Sequence, residues 1–207
     1  MRTIIWILII LSFSTGLSAK KLTGYVLTNQ NDTIKCYIIQ DIFVLSGIDI
    51  SRFQNGIVTK DYNNKKMTYL PKDIKGFGII ANTDTIKFEP VLINSFEMFS
   101  GFKDRWFFMN LIDDGPIKLY YFIDIMTEVG SGYTANRRVQ RYAIKTVSNE
   151  VAKWIDKTEG SDKSFNYRNL FIELLGNDNL ENFKKLNNDS SIGEVLDEIY
   201  NYNITHN

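Results

Sequence analysis

Short runs of apolar and β-branched residues, broken every few positions by Asn, Asp and Gly, dominate the chain from Leu22 to Ile155. That spacing predicts strands. Leu22 to Asn29 and Thr33 to Gln40, separated by Gln30, Asn31 and Asp32, read as an antiparallel hairpin, and Ile74 to Ile80 with Thr85 to Val91 read as another. Both carry Asp-Thr-Ile-Lys, at 32–35 and 84–87. In each, Asp turns the chain by bonding its own backbone and Thr-Ile starts a strand. A duplicated hairpin unit and two similar turns produce the same echo. Asn55-Gly56 predicts a tight hairpin turn between Ile48 to Phe53 and Ile57 to Thr59. Asp113-Asp114-Gly115 predicts a turn between Trp106 to Ile112 and Ile117 to Ile125. The flanking runs Trp106-Phe107-Phe108 and Tyr120-Tyr121-Phe122 are continuously apolar, the mark of strands covered on both faces. Gly130-Ser131-Gly132 opens a loop, and Arg138 to Thr146 with Glu150 to Ile155 make a last hairpin.

The period then changes. Residues 157 to 164 are uninterruptedly polar and read as a linker. Beyond them Tyr167, Leu170, Phe171 and Leu174 fall at i, i+3, i+4 and i+7, and Gly176 suits the position past a helix end. Asp178 with Glu181 and Ser191 with Glu194 have the spacing of capping boxes, which predicts two further short helices. In the last, Ile192, Val195, Leu196 and Ile199 form one stripe. Helices under ~12 residues are marginal alone, so these must pack on one another or on the sheet.

The N-terminus has a different pattern. Met1-Arg2, an apolar run from Ile4 to Phe13 and small or polar residues up to Ala19 match a secretory signal peptide. The run is shorter than the ~20 apolar residues that span a bilayer. The organisation expected is a signal peptide at 1–19, a β-rich domain at 20–156, a linker at 157–164 and a helical segment at 165–207. The fold class is α+β: a mainly antiparallel sheet, either bent or closed into a barrel, with a short C-terminal helical segment packed on it.

Charge is balanced, with 24 basic and 24 acidic residues. Loss of Arg2 with the signal leaves 23 basic against 24 acidic side chains, a formal charge of −1. Broad attraction to nucleic acid is therefore not expected. Cys36 is the single cysteine. It rules out an intramolecular disulfide, and its strand-like surroundings predict a small buried apolar residue.

Gly24-Tyr25-Val26-Leu27-Thr28 followed by Asp32-Thr33-Ile34-Lys35, then Tyr69-Leu70-Pro71 with Asp73-Ile74-Lys75-Gly76-Phe77, and a helical tail ending Tyr200-Asn201 carry a resemblance. On them the chain resembles a group of uncharacterised exported proteins of Bacteroidetes-type bacteria. Asn31 and Cys36 depart from the glycines common there. The resemblance implies export to the cell envelope, a strand pair opening the mature protein and no catalytic residues to carry over.

Candidate chemistry is sparse. His206, one residue from the C-terminus, is the only histidine. Ser-His-Asp and Cys-His catalysis need an imidazole held by a third group, and a frayed terminus does not supply one. One Cys and one His also fail to make a zinc site. Neither a metal site nor a cofactor loop is expected, since Gly130-Ser131-Gly132 lacks the Gly-Lys-Ser/Thr ending of a phosphate loop. Paired carboxylates remain the catalytic option. Glu89, Glu97, Asp104 and Asp124 lie among apolar residues, and nothing in their spacing selects a pair. Arg137, Arg138, Arg141 and Lys145 form a local basic cluster, the candidate ligand-binding residues for an anionic envelope lipid or glycan. On a strand Arg137 and Arg141 share one face and Arg138 takes the other, and the ordinary role of such residues is a solvated face. Trp106 and Trp154 sit in apolar runs, where core packing is the expected role.

The reading is a non-enzymatic exported protein of the periplasm, outer-membrane periphery or exterior. It binds a ligand or an envelope protein, glycan or lipid, with no transmembrane segment after signal cleavage. The alternatives are a carboxylate-dependent hydrolase of envelope glycans and a docking module that uses the helical tail.

Overall fold

A computed structural model describes residues 19–40, 48–97, 101–130, 133–155, 166–176 and 181–207. The expected signal segment up to residue 18, the linker, Ser131-Gly132 and the Asp178 cap lie outside the described residues. The predicted α+β class is observed, mostly antiparallel sheet followed by a helical tail.

Among the described residues ten strands form one sheet: β1 (Lys20–Thr28), β2 (Thr33–Gln40), β3 (Ile57–Lys60), β4 (Lys66–Tyr69), β5 (Ile74–Ala81), β6 (Asp84–Glu97), β7 (Gly101–Asp114), β8 (Ile117–Gly130), β9 (Tyr133–Thr146) and β10 (Val151–Trp154). The order is β10-β9-β8-β7-β6-β5-β1-β2-β3-β4. Both hairpins bearing Asp-Thr-Ile-Lys form, β1 with β2 and β5 with β6. Their turns place Asn31 (φ 69°) and Asn82 (φ 56°) in the left-handed region that Asn tolerates better than most residues.

The Asn55-Gly56 hairpin does not form. Ile50–Phe53 is a 3-10 helix rather than a strand, and β3 pairs with β2 and β4 instead. Asp49 caps that helix by accepting from Ser51 N, and the Phe53 ring packs edge-on against Phe77 and Phe88. A cap and a core ring thus outweigh the strand propensity of the apolar run.

β6–β7 and β8–β9 are two long hairpins joined at the Asp113-Asp114-Gly115 turn. β7 and β8 pair only near that turn, through Asn110↔Tyr121 to Asp114↔Lys118, with a register shift between Leu111 and Asp113. Further along, Phe108 N donates to Gln54 O at 2.8 Å, so the 3-10 segment satisfies a β7 donor that β8 does not. On the other side β10 pairs antiparallel with β9 and parallel with β6. The pairings β6–β7–β8–β9–β10–β6 therefore close a ring, which settles barrel against open sheet for this half of the fold. The remaining strands extend from β6 as an open sheet.

Three cores follow. Val91, Ile93, Phe107, Met109, Tyr120 and Phe122 fill the ring together with Ala143 and Ala152. Phe108, next to Phe107, points the other way into a core with Phe53, Phe77 and Phe88, so β7 is covered on both faces as its sequence predicts. Cys36 lies in that core at 3% exposure, and burial raises its thiol pKa.

The third core is the helical tail on β8 and β9. Helix α1 (Tyr167–Leu175) buries Tyr167, Leu170, Phe171 and Leu174 and ends at Gly176 with φ 78°. Helix α2 (Ile192–His206) opens on the predicted Ser191–Glu194 capping box and buries Val195, Ile199, Tyr202 and Asn203. It is longer than its stripe predicts, because Tyr202 and Asn203 extend the buried face by another turn. His206 is consequently not on a frayed end. Its ring stacks on Tyr202, and its Nδ1 lies 2.9 Å from Tyr202 O. Residues 181–183 make one 3-10 turn, with Phe183 stacked on Phe171 at 3.9 Å.

Candidate binding cleft

The candidate site lies where β5 parts from β6. β5 pairs with β6 from Ala81↔Asp84 back to Phe77↔Phe88 and no further. Pro90, two residues on, has no N–H to donate, consistent with pairing ending there. Upstream of Phe77 the chain leaves through the turn Leu70 to Asp73. Asp73 fixes that turn twice, its Oδ2 accepting from Leu70 N at 2.7 Å and its own N–H donating to Leu70 O at 2.9 Å. Asn29, at the end of β1, ties in by donating Nδ2 to Asp73 O at 3.1 Å.

The result is an open cleft of about 490 Å³ among β1, the turn, β6 and β7. Pro71, Pro90 and the half-exposed Trp106 line it, with Asn29, Lys72 and Lys75 at its rim. Lys72 Nζ stands 5.8 Å from the Trp106 ring centroid, and Lys75 Nζ donates to Asn31 Oδ1 at 2.6 Å. Among the described residues neither ammonium is in an ion pair with a carboxylate. The face is therefore aromatic, flat and locally cationic.

Behind the cleft, Glu89 also lines it and anchors a charged network at the mouth of the ring. Glu89 accepts from Lys118 Nζ at 2.9 and 3.1 Å and from Tyr120 Oη at 2.8 Å, and Lys118 also reaches Asp114 at 3.0 Å. Burial lowers the Lys118 pKa, but the two carboxylates outweigh it and hold the ammonium charged to higher pH than usual. Burial and the adjacent Glu89 push the Tyr120 phenol far above its ordinary range, so it serves as a fixed donor. Two carboxylates thus converge, but they share one ammonium between them. That arrangement holds strands together, and it lacks a second free carboxyl for acid–base division.

The basic cluster read from the sequence is placed elsewhere. Regular pairing along β9 puts Arg137, Arg141 and Lys145 on one face and Arg138 on the other. Arg141 is 9% exposed, stacks 4.0 Å over the Trp154 ring and pairs with Asp124 at 3.3 Å. Arg138 bonds the Asp49 carboxylate and Ser51 Oγ, pinning the 3-10 helix to β9. Arg137 is exposed and Lys145 half-buried. The guanidinium groups of Arg138 and Arg141 are thus committed to partners in the fold. Trp154 packs as expected, its indole N–H donating to Asn94 O at 3.2 Å and its ring edge-on to Phe122. Trp106 does not, since it faces the cleft. Its role was hidden in an apolar run, and Lys72 and Lys75 were not singled out by the sequence, although Pro71 and Asp73 beside Lys72 are turn-forming residues.

Among the described residues no three His, Cys, Asp or Glu stand close enough to hold a metal ion, and no helix is long and apolar enough to cross a membrane. Comparison with protein-family models, curated proteins and solved structures finds no match to the chain.

Proposed function

We propose that this is an exported, non-enzymatic protein of the cell envelope that holds a ligand in the Trp106 cleft. The observation that carries the reading is the cleft: a half-exposed indole on β7, bordered by Lys72 and Lys75, neither paired with a carboxylate among the described residues, beside a turn that Asp73 and Asn29 hold. Rigid aromatic surface with few convergent polar groups is the usual make-up of a ligand site. Export is the reading of the N-terminal charge, apolar run and small residues. Binding is favoured over hydrolysis because Glu89 already spends both oxygens on Lys118 and Tyr120. It is favoured over docking by the tail because α1 and α2 turn their apolar stripes into the core.

The test is retention of the mature chain on immobilised cell-envelope fractions, compared with Trp106→Ala. Retention of the wild type and its loss in the variant is expected. Equal retention of the two proteins overturns the assignment of the site.

A further inference from the structure

We infer that the ligand of this cleft is an acidic saccharide, a sugar chain bearing carboxylates. The inference rests on the binding reading above and deepens it. Sugar rings present flat C–H faces that pack on an indole, and the half-exposed Trp106, with Pro90 beside it in the cleft lining, offers such a surface. Sugars also need donors and acceptors around the ring edge. Asn29 commits Nδ2 to Asp73 O, which leaves its amide fixed in orientation at the rim.

The charge comes from Lys72 and Lys75. Lys72, in the turn, and Lys75, at the start of β5, both border the cleft, with Lys72 Nζ 5.8 Å from the Trp106 ring centroid. Neither is neutralised by a carboxylate among the described residues, although the chain as a whole has as many acidic as basic side chains. The obvious local candidate, Asp73, points its Oδ2 at Leu70 N instead. An anionic group seated between the two ammoniums would complete the pairing that the fold withholds. A neutral sugar would leave them unused. An acidic peptide would use the lysines but not the flat C–H stacking surface. A nucleotide would use both, and is therefore the comparison that matters in the test.

Isothermal titration of the mature protein with tetragalacturonate, maltotetraose, ATP and an oligo-glutamate peptide separates these possibilities. Tetragalacturonate is expected to bind at least about tenfold more tightly than each of the others, the size of one charge-assisted contact. Its affinity should fall as ionic strength rises to about 0.5 M, where exposed charges are screened. The double variant Lys72→Gln/Lys75→Gln alters two exposed side chains and should retain its melting temperature. It should also lose the preference for the uronate over maltotetraose. Tighter binding of ATP or of the peptide, or an unchanged preference in the double variant, overturns the inference. Trp106-dependent retention on envelope fractions without uronate preference removes the ligand class and leaves the binding reading standing. Absence of Trp106-dependent retention removes both.

Discussion

Replacing Asn203 with Ala should be among the most damaging single substitutions in the helical tail. Asn203 is 2% exposed and makes three hydrogen bonds to the β7–β8 hairpin. Its Oδ1 accepts from Ile117 N at 2.9 Å, and its Nδ2 donates to Ile117 O at 2.8 Å and to Asp113 Oδ2 at 2.8 Å. The amide thus imitates a neighbouring strand for one residue of β8. A β-carbon on Gly115 would lie 2.3 Å from the Asn203 side chain, so the turn is shaped around it. Each bond contributes roughly 1 kcal/mol net, and a buried backbone group left without a partner adds roughly 1 to 3 kcal/mol. The expected loss for Asn203→Ala is about 4 to 6 kcal/mol, which at roughly 2 to 4 °C per kcal/mol is a fall in Tm of about 15 °C. Asn203→Leu should do no better, because it restores volume but not the partners of Ile117. Asn201→Ala, on the exposed face two residues away, should change stability by less than ~0.5 kcal/mol. Chemical denaturation of the variants, read by far-ultraviolet circular dichroism, decides it. Similar midpoints for Asn203→Ala and Asn201→Ala would refute the claim that this amide fastens the tail to the sheet.

Other outcomes follow from the same geometry. Gly24→Ala should destabilise strongly, because the added carbon would meet Gly78 O at 2.3 Å where β1 crosses β5, and that neighbour is backbone that has little room to move; thermal melting reports it. The Cys36 thiol should resist a thiol reagent in the native state and react at the rate of unfolding, as its burial and raised pKa require. Asp49 is partly desolvated, but its hydrogen bonds from Ser51 and the Arg138 guanidinium win and lower its pKa. A depressed carboxylate stabilises above its unfolded pKa of ~3.9 and loses that contribution as pH falls through the folded value. Asp49→Asn should therefore be less stable than wild type near pH 7, with the gap closing below about pH 4, as denaturation across pH will show. Gln54→Met should be neutral or stabilising, since Gln54 Nε2 is buried with no protein partner among the described residues.

The strands and helices were legible because their signals are local. Asp-Thr-Ile-Lys marks two turns, the Ser191–Glu194 box marks a helix start, and the Tyr167–Leu174 stripe marks a buried face. Ile48 to Phe53 misled because its fate depends on Arg138 and Phe77, residues distant in sequence that fix a 3-10 turn instead of a strand. Ring closure was equally hidden. β10 is four residues long, and its parallel pairing joins Val151 to Leu92 across three intervening strands. The cleft was not legible. Pro71 and Asp73 are turn formers, but that Lys72 and Lys75 border one cleft with Trp106 depends on where β5 parts from β6 and on the β6–β7 register that sets Trp106 opposite Leu92. The division of the β9 arginines between two faces was legible from strand alternation, whereas their partners Asp49 and Asp124 were not.

The two tryptophans downstream of the expected signal segment allow the most direct measurement. Trp106 borders the cleft, and Trp154, which does not line it, is engaged with Asn94 and Arg141. Their indole N–H signals in a nitrogen–proton correlation spectrum of the mature protein can be followed while solubilised envelope glycan is added. The Trp106 signal should shift saturably while the Trp154 signal stays in place. A Trp106 signal that does not move, or a shift confined to Trp154, would contradict binding in the cleft.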